Sequence, residues 1–346
     1  MSAQTVLFRP SHLPAAATLV CQRYQRLRQE VPYLPERYEK EDAFLPMLEA
    51  LLQEAPEGSG FAHIRNGELV GFLLGLEIPD FMGRHTIYSP EWANAALLDE
   101  SWPIYETLYT HWSAYWVAQR VFTHMVSLFA NDWDVVDAPI NCKFSNLNGI
   151  GGNPWQWLGF GMLTVDGLRD LSPLPQQVTG AFQVQRVLPD AQGAFSPDDL
   201  ARLAQFDKAL LAHVRAAPCL WPHDVDEISS FTGDSWLSAP GNILWFAYQG
   251  DEPLGYLGIT PSSQDACAII RDPGTASIVK AYTLPTARGG GVGAALLSHA
   301  LAWAGEQGYQ RCSVDYEAAN PPARRFWGRW FEPVVFSLMR VVGEKL

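Results

Sequence analysis

The chain has 346 residues, enough for two domains at roughly 100–200 residues each, and 24 basic against 37 acidic residues leave a net charge of −13. That balance argues against nucleic acid, whose phosphates are gripped mainly by Lys and Arg, and against an anionic membrane surface, while it suits a cationic or amine substrate as well as plain solubility. Five cysteines with no CxxC pair argue against a disulfide or zinc framework; with no basic-then-apolar leader pattern and no uncharged apolar run of ~18 residues, they set the expectation of a cytoplasmic protein.

In chain order, a strand at Thr5–Arg9 precedes helical segments within Ala15–Leu52 and a hairpin at Phe61–Leu76. The run IYETLYT at 104–110 reads as the next strand. The segment 102–133 is dense in Trp, Tyr and Phe, which reads either as core and domain-packing surface or as an aromatic wall for an acceptor. His111, His124 and His299 have no ligand-like partners nearby in sequence, so packing or surface roles are expected and no metal. Leu171–Gly180, LSPLPQQVTG, carries two prolines and reads as a linker between residues 1–170 and 181–346.

The second half repeats the order. A strand at Phe182–Val187, helices from Asp198–Ala216 onward and a hairpin at Ile243–Ile259 lead to SIVKAYT at 277–283. GELVGFLLGLEI at 67–78 echoes DEPLGYLGIT at 251–260, IYETLYT echoes SIVKAYT, and NLNGIGGNPWQWLGF at 146–160 echoes EAANPPARRFWGRWF at 317–331. Each half therefore reads as α/β with a mixed sheet.

The glycines of TLPTARGGGVGAALLSHAL, at 283–301, stand where a helix begins. Val292, Ala295, Leu296, His299, Ala300 and Trp303 fall on one helical face, so the helix starts near Gly291. Its first N–H groups lack intrahelical partners and carry the positive end of the dipole. Glycines there admit an anion to the backbone and permit positive φ, whereas within a helix each costs about 0.5–1 kcal/mol. The Walker pattern is excluded because the loop has no lysine, and the Rossmann pattern because Ala294 takes its third glycine place.

What matches is Arg288-x-x-Gly291-x-Gly293 after a strand and before a Leu-rich helix, followed by Asn320-x-x-Ala323 and then Trp327. In these features the chain resembles the GCN5-related N-acetyltransferase (GNAT) superfamily over about 182–346, and more faintly in the first half. The resemblance implies two tandem GNAT-like domains, the first degenerate, with YWVAQR at 115–120 where the glycine loop would be. In that half Asn148, Gly151, Trp155, Gly159 and Phe160 keep the spacing of the Asn motif.

The resemblance further implies acetyl-CoA as co-substrate and direct attack of a primary amine, on a small molecule or a peptide, upon the thioester. Arg288, Gly289, Gly290, Gly291, Val292, Gly293 and Ala294 would surround the diphosphate, with Arg288 either adding charge or simply solvated. Ala281, Tyr282 and Thr283 would offer free strand amides to the thioester carbonyl, and Asn320 and Trp327 would complete the cofactor site. Asp315, five residues before Asn320, is the candidate base, with a solvated strand-end acid as the other reading. Glu317 shares its strand face, and Glu106 is its weaker counterpart in the first half. Trp327 stands where the family often has a proton-donating tyrosine, and an indole N–H does not titrate usefully; Tyr282, Tyr316 or solvent could serve instead. The rival readings are a non-catalytic acyl-CoA-binding sensor or interaction module and a transferase of a different acyl group.

Overall fold

The computed structural model describes residues 3–132, 153–175, 182–222, 234–262 and 265–343. Their contacts group into two units, one of Met1–Val165, Cys267–Ile269 and Pro333–Leu346, the other of Asp166–Ala266 and Ile270–Glu332. The sequence reading keeps 333–346 with the second half, whereas the contacts group it with the first unit.

The first unit begins with β1 (Ala3–Leu7), α1 (Leu13–Glu30) and α2 (Glu41–Glu54). The strands β2 (Phe61–Arg65), β3 (Glu68–Leu73), β4 (Leu76–Phe81), β5 (Arg84–Ser89) and β6 (Asn94–Ala96) follow. Then come α3 (Ser101–Ala118), β7 (Thr123–Phe129), the short α4 (Pro154–Trp157) and β8 (Gly161–Asp170), which ends in the second unit. The orders are β1-β2-β3-β6 and β4-β5-β7-β14, where β14 is the closing strand (Glu332–Val341).

IYETLYT is helix rather than strand, because it lies inside α3. Its buried residues Ile104, Tyr105, Leu108, Tyr109, Trp112 and Trp116 recur at helical spacing and form the unit's core with Trp155 and Phe160. Much of the aromatic segment is therefore core. Glu106 and 115–120 consequently lie on α3 and at its end, not at a strand and a loop. The parallel neighbour of β7 is β5, paired from Thr86↔Thr123 to Ser89↔Val126. His124 is core as well: Nε2–H donates to the Val121 carbonyl, Nδ1 accepts from Tyr109 Oη at 2.8 Å, and burial pushes its pKa down to about 4. His111 and His299 are exposed. Asn148 and Gly151 lie outside the described residues; α4 is capped by Asn153, whose Oδ1 accepts from Trp155 N at 2.9 Å.

After Ser89 the chain leaves β7, and β6 pairs with β3 instead. Asn94 bridges the resulting gap. Its Nδ2 donates to Ser127 O on β7 at 3.0 Å and to Pro90 O at 2.9 Å, while Oδ1 accepts from Tyr105 Oη at 3.1 Å. Arg23, paired with Asp132, donates to the Asn94 carbonyl at 2.7 Å.

The second unit contains β9 (Gln183–Arg186), α5 (Pro197–Arg215), α6 (Asp234–Leu237), β10 (Ile243–Gln249), β11 (Glu252–Pro261), β12 (Thr275–Thr283), α7 (Val292–Glu306), β13 (Arg311–Glu317) and α8 (Pro321–Trp327). Its strand order is β13-β12-β11-β10-β9. Gly258 admits the Trp236 ring so closely that a Cβ would meet it at 2.6 Å. Leu203 and Phe206 of α5 pack on Leu244, Phe246 and Tyr256. Beneath them Asp207 accepts from Tyr256 Oη at 2.7 Å and from Lys280 Nζ at 3.0 Å. Burial lowers the Lys280 pKa and the Asp207 charge opposes that shift.

Asn94→Ala should lower stability by about 2 kcal/mol, because it strands the buried Tyr105 hydroxyl and Ser127 carbonyl. Urea unfolding of both proteins checks this; an unchanged midpoint would show that Asn94 is not the bridge.

Candidate functional site

The site begins with a break in a ladder. β12 and β13 run parallel and pair from Thr275↔Arg311 only as far as Ile278↔Val314. Both strands continue, to Thr283 and Glu317. On its other side β12 stays paired with β11, but Gly258 opposes Lys280 and Ile259 opposes Ile278, so Val279 is an extra residue. A bulge of this kind bends its strand and shifts its phase. The bend comes where β13 parts from β12, and Val279–Thr283 lose their pairing on that side.

The phase shift also sorts side chains. Ser277 opposes Thr260 and Lys280 opposes Gly258, so the extra residue returns Ser277, Lys280 and Tyr282 to one face. Ser277 Oγ lies 2.8 Å from Ser313 Oγ, and period two carries Asp315 and Glu317 to that same face. This is the side covered by α5, where Tyr282 packs against Phe206. Tyr316 points the other way and is buried, which raises its pKa.

Asp315 reaches solvent, yet protein crowds it closely. Loss of hydration is the largest effect and, with the nearby charges of Glu317 and Asp265, pushes its pKa up to about 6 against the opposing pull of its own backbone amide.

At the far end of β12 the chain turns through Pro285–Ala287 into the glycines. Gly291 is the N-cap of α7 at φ +89°, and no side chain caps the helix. Gly289 is also left-handed, at φ +80°. Residues 288–290 are exposed, so the first-turn amides of Val292, Gly293 and Ala294 stand behind an open glycine turn. The geometry fits a diphosphate: uncapped amides, a helix dipole and little side-chain bulk. Gly293 has another reason to be glycine, since a Cβ there would meet the Phe326 ring at 3.2 Å. Arg288 folds back, donating to Thr283 O at 3.1 Å with its guanidinium 5.4 Å from the Tyr282 ring centre. It ties the loop to the strand end.

Asn320 is the N-cap of α8; its Oδ1 accepts from Ala323 N at 3.4 Å and its Nδ2 donates to Glu317 Oε2 at 3.2 Å. Trp327 is buried between Phe326 and Phe331. The face thus gathers Tyr282, Asp315 and Glu317, with Asn320 at its end and the 288–294 loop after β12. Sequence reading missed His213, in the last turn of α5. Its Nε2 lies 3.2 Å from Asn320 Oδ1 and its ring 5.9 Å from that of Tyr282. Its place on a basic C-terminal helix turn was the only signal. Among the described residues, no three His, Cys, Asp or Glu side chains are arranged to hold a metal ion.

Residues 208–331 match the family described as acetyltransferase (GNAT). The chain is similar in fold to a GCN5-related N-acetyltransferase from Sphaerobacter thermophilus, with a TM-score of 0.53 at 13% identity over 98% of this chain and 95% of that one. A tandem GNAT protein from the clavulanic acid biosynthesis pathway aligns over 99% of both chains at 12% identity and TM-score 0.45. A GCN5-related N-acetyltransferase from Kribbella flavida aligns over 98% of this chain and 72% of that one, at 11% identity and TM-score 0.38. No curated protein matches the chain by sequence.

The folded state holds the Asp315 proton up to about pH 6, the unfolded chain only to its ordinary 3.8. The stability this group contributes is therefore full below about pH 4 and lost as pH rises through about 6. In thermal melts Asp315→Asn should gain on wild type between about pH 4 and pH 7. A constant difference across that range would contradict the crowded placement.

Proposed function

We propose that this chain, whose residues 208–331 match the acetyltransferase (GNAT) family, moves acetyl from acetyl-CoA to a primary amine by direct attack. The observation that carries the reading is the pairing of the uncapped α7 N-terminus with the parted β12 and β13 strands. Acetyl-CoA supplies the activated acetyl thioester. The backbone amides of Gly289 to Ala294, with Arg288 beside them, hold its diphosphate.

The amides of Ala281 and Thr283 face the edge parted from β13, where such donors steady a developing oxyanion, while that of Tyr282 faces β11 and its side chain lines the groove. Ionised Asp315 takes the amine proton and Glu317 adds negative charge that attracts the cationic acceptor. Of the two tyrosines, Tyr282 shares the Asp315 face and is the better placed to return a proton to the thiolate; Tyr316 faces away. Asn320 orders the end of the groove, and Trp327 packs its wall.

We assign the cofactor to the second half alone. In the first half, Asn94 and Tyr105 fill the gap beside β7 with hydrogen-bonded side chains. The acceptor is a small-molecule or peptide amine. The thiols of Cys21, Cys219 and Cys312 suit the cytoplasm, where we place the protein. The buried Trp327 in place of a tyrosine favours, as the second reading, an acyl-CoA sensor without turnover.

Thiol release from acetyl-CoA over a panel of primary amines tests this. Wild type should release thiol with at least one amine. Gly291→Glu should abolish CoA binding, because it places a side chain and a negative charge in a left-handed turn facing the diphosphate. CoA binding without thiol release for any amine would favour the sensor; normal binding by the variant would remove the loop as the site.

A further inference from the structure

Asn320 and Tyr282 stand at the ends of the two parted strands, and one side chain from a third element touches both. His213 comes from α5, 107 residues before Asn320 in the chain. Its Nε2 lies 3.2 Å from Asn320 Oδ1, and its ring lies 5.9 Å from that of Tyr282 at an interplanar angle of 56°. An amide oxygen only accepts, so Nε2 carries the proton and His213 donates.

That bond has a consequence for Asn320. Its oxygen is held by Ala323 N at 3.4 Å and by His213, and its nitrogen by Glu317 at 3.2 Å. The Ala323 contact is long, so by itself it orients the amide weakly. The His213 donor makes the flipped amide unfavourable, because flipping would set Nδ2 against Nε2–H. His213 and Glu317, from opposite sides, therefore fix the orientation of the Asn320 amide. The contacts also form a chain across the parted strands: Arg288 on Tyr282, Tyr282 on His213, His213 on Asn320, Asn320 on Glu317. One end ties down the glycine loop and the other reaches the strand of Asp315.

We propose that His213 is a positioning residue for the cofactor groove, fixing the Asn320 amide and the spacing of the β12 and β13 ends through its Nε2–H. This rests on the acetyl-CoA reading above. A group that orders the groove equally in ground and transition states affects cofactor affinity more than turnover.

The test compares wild type with His213→Leu, which keeps bulk and loses the donor, with His213→Asn, whose amide falls short of Asn320, and with His213→Gln, whose amide reaches it. CoA affinity is measured by calorimetry, together with KM for acetyl-CoA, kcat and the melting temperature. His213→Leu and His213→Asn should bind CoA about five- to tenfold more weakly, the loss of one hydrogen bond. KM should rise by a similar factor, and kcat should stay within about twofold. His213→Gln should return affinity to within about twofold of wild type. If His213→Leu does not fold, the contrast of Asn with Gln decides. Equal CoA affinity in all four proteins, or a Gln variant as weak as the Asn variant, would overturn the proposal. A wild type that ignores CoA would instead overturn the acetyl-CoA reading beneath it.

Discussion

The extra residue at Val279 is the constraint on which the second unit's chemistry depends. It bends β12 while its pairing with β11 continues, and β12 parts from β13 there. The parting leaves an unpaired stretch of strand edge, and after a short turn the uncapped first turn of α7 adds a second set of donors. Buried polar backbone groups without partners are costly, so a fold keeps such an edge only where water or a ligand can reach it. The same extra residue sets side-chain phase, placing Lys280 and Tyr282 on the face of Asp315 and Glu317. A regular strand would have sent Lys280 to the opposite face, away from Asp207.

The two units solve the same topological problem in opposite ways. In the first, the gap beside β7 is closed by Asn94, Tyr105 and the Arg23–Asp132 pair, and α3 fills the core with aromatic side chains. In the second, the edge is left open and the packing beneath it is charged: Asp207 accepts from both Lys280 and Tyr256. A buried pair of this sort adds little net stability against an apolar alternative, but removing one partner leaves a charge uncompensated. Lys280 lies next to the extra residue, so the pair fastens the bent part of β12 to α5.

Much of the second unit was legible in sequence because its signals are local. Clustered glycines before an apolar helical period marked the start of α7, and Gly291 does cap it in the left-handed conformation. Asn320, singled out by the Asn-x-x-Ala spacing, stands as the N-cap of α8. Period two carried Asp315 and Glu317 to one face. The misreading of IYETLYT has a physical origin as well. Its β-branched and aromatic residues favour a strand, but burial at 104, 105, 108, 109, 112 and 116 is helical, and tertiary packing overrides propensity. His213 was out of reach because nothing near it in the chain points to Asn320; only the fold joins them. His299 sits on the predicted apolar stripe of α7 and is exposed, where a polar ring is best hydrated.

The central claim is that main-chain amides at the entry to α7, and along the parted edge of β12, grip the cofactor. Amide hydrogen exchange with and without coenzyme A measures those groups directly. The account predicts slowed exchange at Gly289 to Ala294 and at Ala281 and Thr283, with the core of the first unit unchanged. Saturating coenzyme A that leaves exchange in both segments as it was would contradict it.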